Sequence, residues 1–196
     1  MLYPTSMPLP KKSAAMASSF NGSGVLFVVS ALLLFGTTQV TPMDYLLPIC
    51  KTVGGGSTFV GIQFCMDTFH SDPRTAHGAT YQDLAAIAVD LLTANATSTK
   101  AKIGGLLDGK TADAATAQAL RSCQVLYDGI LQRQPGSAAA VKGGKFSEAI
   151  SSLEKSAAAA KECEDGFSKS HVASPVTVEN SNAFQLAKLA VGLLYS

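Results

Sequence analysis

The sequence predicts an all-α fold: an antiparallel up-down-up-down four-helix bundle, preceded by a small N-terminal helical hairpin and stapled by two disulfides. Three observations carry this. Apolar residues recur at spacings of three and four along four long stretches, the period of one buried helix face. The connectors between those stretches are short and rich in Gly, Pro, Ser and Asp, so consecutive helices run antiparallel. Four cysteines stand at positions that pair across two of the expected turns. No alternating strand pattern appears after residue 40.

Residues 1–39 read as a secretory signal. Lys11 and Lys12 supply positive charge, and Val25 to Phe35 (VLFVVSALLLF) is an unbroken apolar run. A membrane span takes about twenty such residues, and Asn21 to Gly24 interrupt any extension, so an anchor is the weaker reading. Gly36, Thr37 and Thr38 follow, which puts cleavage at about residues 36–42, with Met16 a second candidate start. What remains, about 155 residues, is the size of one domain.

That domain is expected over 44–195. A hairpin at 44–70 turns at Gly54 to Gly56 and ends at Asp72-Pro73. Thr80 with Asp83 makes a helix start of capping-box type, Asp replacing the usual Glu or Gln. Tyr81, Leu84, Ala88 and Leu91, resumed by Ile103, Leu106 and Leu107, mark a first long helix over 81–108, weakened near its end by Gly104 and Gly105. A second is expected over 111–135, with Leu120, Cys123, Leu126, Tyr127, Ile130 and Leu131 on its buried stripe. It stops before Pro135, which lacks the N–H that a helix interior needs. After a Pro/Gly/Ser/Ala connector, Phe146, Ile150, Leu153, Ala157, Ala160, Cys163 and Phe167 define a third over 145–170. Ser174-Pro175 closes that segment and opens the next. Ala183, Leu186, Ala187, Ala190, Leu193 and Leu194 mark the fourth over 178–195.

The cysteines Cys50, Cys65, Cys123 and Cys163 all follow the signal, and their number is even, so an exported chain holds them as two disulfides. Sequence alone permits three pairings. Antiparallel helices bring together residues equidistant from their turn, and the midpoint of Cys123 and Cys163 is Gly143, inside the third connector. The midpoint of Cys50 and Cys65 falls between Ser57 and Thr58, beside the glycines. The preferred map is therefore Cys50–Cys65 and Cys123–Cys163. Closing a loop of about 40 residues contributes roughly 4 kcal/mol by loop-closure entropy. No CxxC exists and His70, His77 and His171 are scattered, so neither a metal nor a cofactor is expected.

A formal net charge of +1 points to neither nucleic acid nor an anionic membrane as partner. Catalysis needs a nucleophile, a base and an orienting group together. The histidines pair with no carboxylate at helical spacing, no phosphate-binding glycine loop precedes a helix, and an enzyme is not expected. Asn95-Ala96-Thr97 is a glycosylation sequon in the exported part.

Certain residues resemble the plant invertase and pectin methylesterase inhibitor family. They are Cys50-Lys51-Thr52, Phe64-Cys65, Ser71-Asp72-Pro73-Arg74, Cys123-Gln124-Val125-Leu126-Tyr127, Cys163-Glu164-Asp165-Gly166-Phe167 and Ser174-Pro175-Val176-Thr177 with Asn180. The resemblance covers the whole mature chain. It implies the same bundle and the same cysteine pairing. It also implies export to the cell wall or vacuole, no membrane in the mature form, a monomer when free, and an enzyme as partner, either acid invertase or pectin methylesterase. Invertase inhibitors of the family carry a Pro-Lys-Phe loop that enters the target's active site. Gly144-Lys145-Phe146 matches it at Lys and Phe, which marks Gly144, Lys145 and Phe146 as target-binding candidates and slightly favours invertase. Gly in place of Pro is expected to leave the loop less preorganised. Phe146 also fits the buried stripe, so a core role competes with a contact role. Pectin methylesterase binding through helix faces is the alternative. A third reading is a secreted carrier of an apolar ligand, against which the small alanines of the stripes argue close helix packing.

Overall fold

Thr80 starts the first long helix in the manner its sequence anticipates. Its Oγ1 accepts from the Asp83 backbone N–H at 3.1 Å, and Asp83 Oδ2 accepts from the Thr80 N–H at 3.0 Å, completing a capping box. The computed structural model describes residues 45–55, 59–76, 79–109 and 112–196, and six α-helices lie among them. They are α1 (Leu46–Gly55), α2 (Ile62–His70), α3 (Tyr81–Asp108), α4 (Ala114–Lys142), α5 (Phe146–Lys169) and α6 (Thr177–Tyr195), with a 3-10 turn at Pro73–Thr75. The signal segment, Gly56 to Thr58 of the first turn and His77 lie outside the described residues.

The four long helices form a ring in which α3 packs on α4, α4 on α5, α5 on α6 and α6 back on α3. Inside it Leu84, Leu92, Ile103, Leu120, Tyr127, Ile130, Leu153, Phe167, Leu189 and Leu193 are fully or almost fully buried. Small residues at Ala88, Ala96, Ala157, Ala160, Ala183, Ala187 and Ala190 fill the seams, which lets the helix axes approach closely. The α1–α2 hairpin leans on α6. A side-chain carbon added at Gly192 would stand 2.6 Å from Val53 Cγ1, so only glycine permits that approach.

Both disulfides pair as the midpoints indicate. Cys50 joins Cys65 with Cα atoms 5.6 Å apart, and Cys123 joins Cys163 at 4.8 Å, within the usual span for such bridges. All four cysteines are buried. The Ser71-Asp72-Pro73-Arg74 run ties the hairpin to the bundle. Asp72 caps the 3-10 turn by accepting from the Arg74 N–H, and the Arg74 guanidinium spans from Asp72 to Asp90 of α3. The hydrogen bonds of Arg74 hold the Asp72 carboxyl below the usual carboxylate range.

Two expectations are corrected. The second long helix does not stop at Pro135. It begins at Ala114, with Asp113 accepting from the Ala115 and Thr116 N–H groups, and runs through Pro135 to Lys142. The helix loses one hydrogen bond there, and tertiary packing outweighs it: Ala140 and Val141 are buried against neighbours, and buried Ser137 bonds Ser152 of α5 at 2.8 Å. The Pro/Gly/Ser/Ala stretch is thus helix, and the connector shrinks to Gly143, Gly144 and Lys145. Secondly, Phe146 is not a core residue. Its relative exposure is 36 %, and Ala149, one turn further on, takes the buried place.

Candidate functional site

The turn between α4 and α5 is built by its own backbone. Gly144 has φ +69°, the left-handed conformation that L side chains rarely adopt. Its N–H reaches the Val141 carbonyl at 3.1 Å, and the Lys145 N–H reaches the Ala140 carbonyl at 2.8 Å. This is a Schellman motif with glycine at the residue after the C-cap, and it satisfies carbonyls that a helix end otherwise leaves open. Gln82 at the start of α3 adds a third contact, its Nε2 donating to the Val141 carbonyl at 2.7 Å. Lys145 is at once the N-cap of α5: its carbonyl accepts from the N–H groups of Glu148 and Ala149, both at 3.1 Å.

Glycine here does not loosen the turn, contrary to the expectation drawn from the missing proline. Proline fixes φ near −65° and has no N–H, so it satisfies neither the backbone angle nor the bond to Val141. Lys145 projects into solvent with its Nζ 3.6 Å from Glu148 Oε1, an exposed pair that contributes little. Phe146 sits at the rim of a hollow of about 360 Å³ at the end of the bundle, with Tyr81 of α3 and Leu193 and Leu194 of α6. Gly144, Lys145 and Phe146 therefore share one exposed corner on a firmly hydrogen-bonded base.

Asn95 lies within α3, part-buried, with its Oδ1 buried and unpartnered, while Thr97 Oγ1 donates to the Thr93 carbonyl. No cluster of His, Cys, Asp or Glu among the described residues could hold a metal.

A second assembly was not visible in the sequence as a unit. Tyr127 of α4 is fully buried and its hydroxyl donates to Asn180 Oδ1 at 2.8 Å. Asn180 Nδ2 donates to Glu164 Oε2 at 2.7 Å, and Thr177 Oγ1 donates to Glu164 Oε1 at 2.7 Å. Ser174 Oγ accepts from the Val176 N–H at 3.3 Å where α6 begins. Burial pushes the Tyr127 phenol well above its ordinary pKa, so it stays a donor. Three separate sequence motifs thus meet in one latch joining α4, α5 and α6 beside the Cys123–Cys163 bridge. These hydrogen bonds join the three helices, and Glu164, Thr177 and Asn180 also line a hollow of about 360 Å³.

The fold and this corner define a class: a disulfide-braced helical bundle that presents a rigid turn. The chain belongs to the plant invertase/pectin methylesterase inhibitor family, matching it over residues 49–193. Members of that family are inhibitors, so the protein is an inhibitor and not a catalyst, and its partner is an enzyme. Two curated proteins named "Putative invertase inhibitor", from Platanus orientalis and Platanus acerifolia, are each 28 % identical to it. Each alignment covers 86 % of this chain and 92 % of the relative. Among solved structures, a mutant form of a pectin methylesterase inhibitor from Arabidopsis superposes with TM-score 0.64 at 20 % identity, over 79 % of this chain and 96 % of that one. A pectin methylesterase inhibitor from Arabidopsis thaliana gives 0.55 at 19 %, over 78 % and 95 %. At that identity the likeness is one of fold. No helix among the described residues is long and apolar enough to cross a membrane.

Proposed function

We propose that this protein is exported and inhibits an acid invertase by presenting the Gly144–Lys145–Phe146 corner to the target's active site. The observation that carries the reading is the display of Lys145 and Phe146 together on a rigid turn, with Phe146 turned out of the core. A glycoside hydrolase site holds paired carboxylates, for which a lysine is a charge partner. An adjacent aromatic ring can serve as the anchor that such interfaces concentrate their energy in. A preformed turn lowers the ordering cost of association. The names of the two Platanus relatives support the same target. Two buried disulfides support an oxidising destination, the cell wall or vacuole.

The test is inhibition of an acid invertase and of a pectin methylesterase, side by side, by the parent and by Lys145→Ala with Phe146→Ala. The double variant should keep the parent's circular dichroism and lose at least about 10-fold in invertase inhibition. A folded double variant as potent as the parent removes the proposal. A parent that spares invertase and inhibits pectin methylesterase transfers the function to the family's other target.

A further inference from the structure

A groove runs along the seam of α4 and α5 from the Lys145 corner towards the middle of the bundle. On α5 its wall is Glu148, Ser151, Ser152, Lys155, Ala158 and Ala159, residues three and four apart on one face. Across from them on α4 stand Arg133, Gly129, Leu126 and Val125. The groove comprises two hollows, of about 540 and 310 Å³, and Arg133 and Lys155 line both. The upper hollow is hydroxyl-rich. The lower has apolar walls, and Val125 there is 71 % exposed.

Arg133 is the unusual residue. Its guanidinium is part-buried, and that burial pulls its pKa down. Its partners are only the Ser156 hydroxyl and the Lys155 carbonyl, each at 3.4 Å, and among the described residues it makes no ion pair. The guanidinium lies over Gly129, where an added side-chain carbon would stand 3.2 Å from Arg133 Nη1, a tight contact that would nudge the guanidinium. A part-desolvated guanidinium with weak neutral partners is a preorganised receptor for a carboxylate, whose planar geometry it matches. Lys155 adds a second positive charge. Glu148 at the upper rim is engaged by Lys145, and Glu162 marks the lower rim.

We infer that the α4–α5 groove is a carboxylate-docking site. Arg133 and Lys155 receive an acidic side chain of the target enzyme, and a neighbouring apolar side chain of that enzyme seats against Val125, Leu126 and Ala158. Charge complementarity selects this occupant: cations at the centre with an apolar shelf beside them match an acidic residue flanked by an apolar one. The inference rests on the protein's being an enzyme inhibitor and not on which enzyme it inhibits.

The experiment compares the parent, Arg133→Gln with Lys155→Gln, and Gly129→Ala, against invertase and pectin methylesterase at about 20 and 200 mM salt. The double variant should melt like the parent and lose about 30-fold in inhibition, with a flatter salt dependence. Gly129→Ala should raise the melting temperature, because alanine favours the helix. It should also weaken inhibition, by less than the double variant does, because the guanidinium must shift slightly. A purely structural role for Arg133 would not move stability and inhibition in opposite directions. A folded double variant within about twofold of the parent overturns the proposal. If the parent inhibits neither enzyme, the choice of targets has failed and the groove is judged by nuclear magnetic resonance. Titration with the blocked dipeptide acetyl-Asp-Leu-amide should then move the Arg133 Nε–H signal in the parent and leave no matching effect in the double variant. An unmoved signal overturns the site.

Discussion

Replacing Gly144 with proline would write the Pro-Lys-Phe sequence of the family's invertase inhibitors into this chain. A sequence argument expects a stiffer loop and better inhibition. The structure leads to the opposite expectation. Proline moves φ from +69° to about −65° and deletes the N–H that bonds the Val141 carbonyl at 3.1 Å. It also pushes Gly143, whose φ and ψ are −84° and 3°, towards extended backbone. Without the left-handed residue the 2.8 Å bond from the Lys145 N–H to Ala140 cannot form either. Two lost hydrogen bonds at about 1 kcal/mol each, plus the backbone conflict, come to roughly 3 kcal/mol. For a domain of this size that lowers the melting temperature by about 6–12 °C. Gly144→Ala keeps the N–H and meets only the left-handed penalty, about 1 kcal/mol. Thermal unfolding followed by circular dichroism ranks parent, alanine and proline variants in that order, and inhibition should fall with the proline variant. A Gly144→Pro protein as stable as the parent would refute the account of the turn.

Three further outcomes are expected. Tyr127→Phe leaves Asn180 Oδ1 buried without its donor and should cost about 1–3 kcal/mol, while Asn180→Ala, which removes both the acceptor of the Tyr127 hydroxyl and the Nδ2 donor to Glu164 Oε2, should cost more. The two combined should cost less than their sum in denaturant melts, because they belong to one network. Replacing Cys123 and Cys163 by alanine opens a 40-residue loop and should cost about 4 kcal/mol, against roughly 3 kcal/mol for the 15-residue loop of Cys50 and Cys65, measured as shifts in unfolding midpoint. The Asp72 carboxyl is held below its ordinary value of 3.8 by Arg74, so its contribution to stability is fully present above that value and is lost as pH falls through the lower folded value. Urea melts at descending pH should therefore show a loss that starts as pH nears 3.8 and that is shallower in Asp72→Asn; an identical slope in that variant would count against the Arg74 contact.

The sequence by itself determined the helical class and the order of the elements, and it favoured the cysteine pairing that the structure shows. These depend on periodicity and on distance along the chain from a turn, both local quantities. The first bundle helix was legible to the residue because a capping box and a terminal Asp-Gly mark its ends. Tertiary structure alone decided three things. Pro135 stays inside a helix because the apolar burial of Ala140 and Val141 beyond it, and the Ser137 to Ser152 hydrogen bond onto α5, outweigh one lost backbone bond. Phe146 leaves the core because it stands at the last corner of the bundle, where a stripe read from spacing runs past the neighbours that would cover it. Tyr127, Glu164 and the Thr177–Asn180 turn of α6 lie apart in sequence, and Arg133 faces Lys155 across a turn, so only the packing of α4, α5 and α6 brings either set together. Spacing fixes which face of a helix is apolar; where that face ends, and which polar groups meet along its edge, depends on the helices beside it.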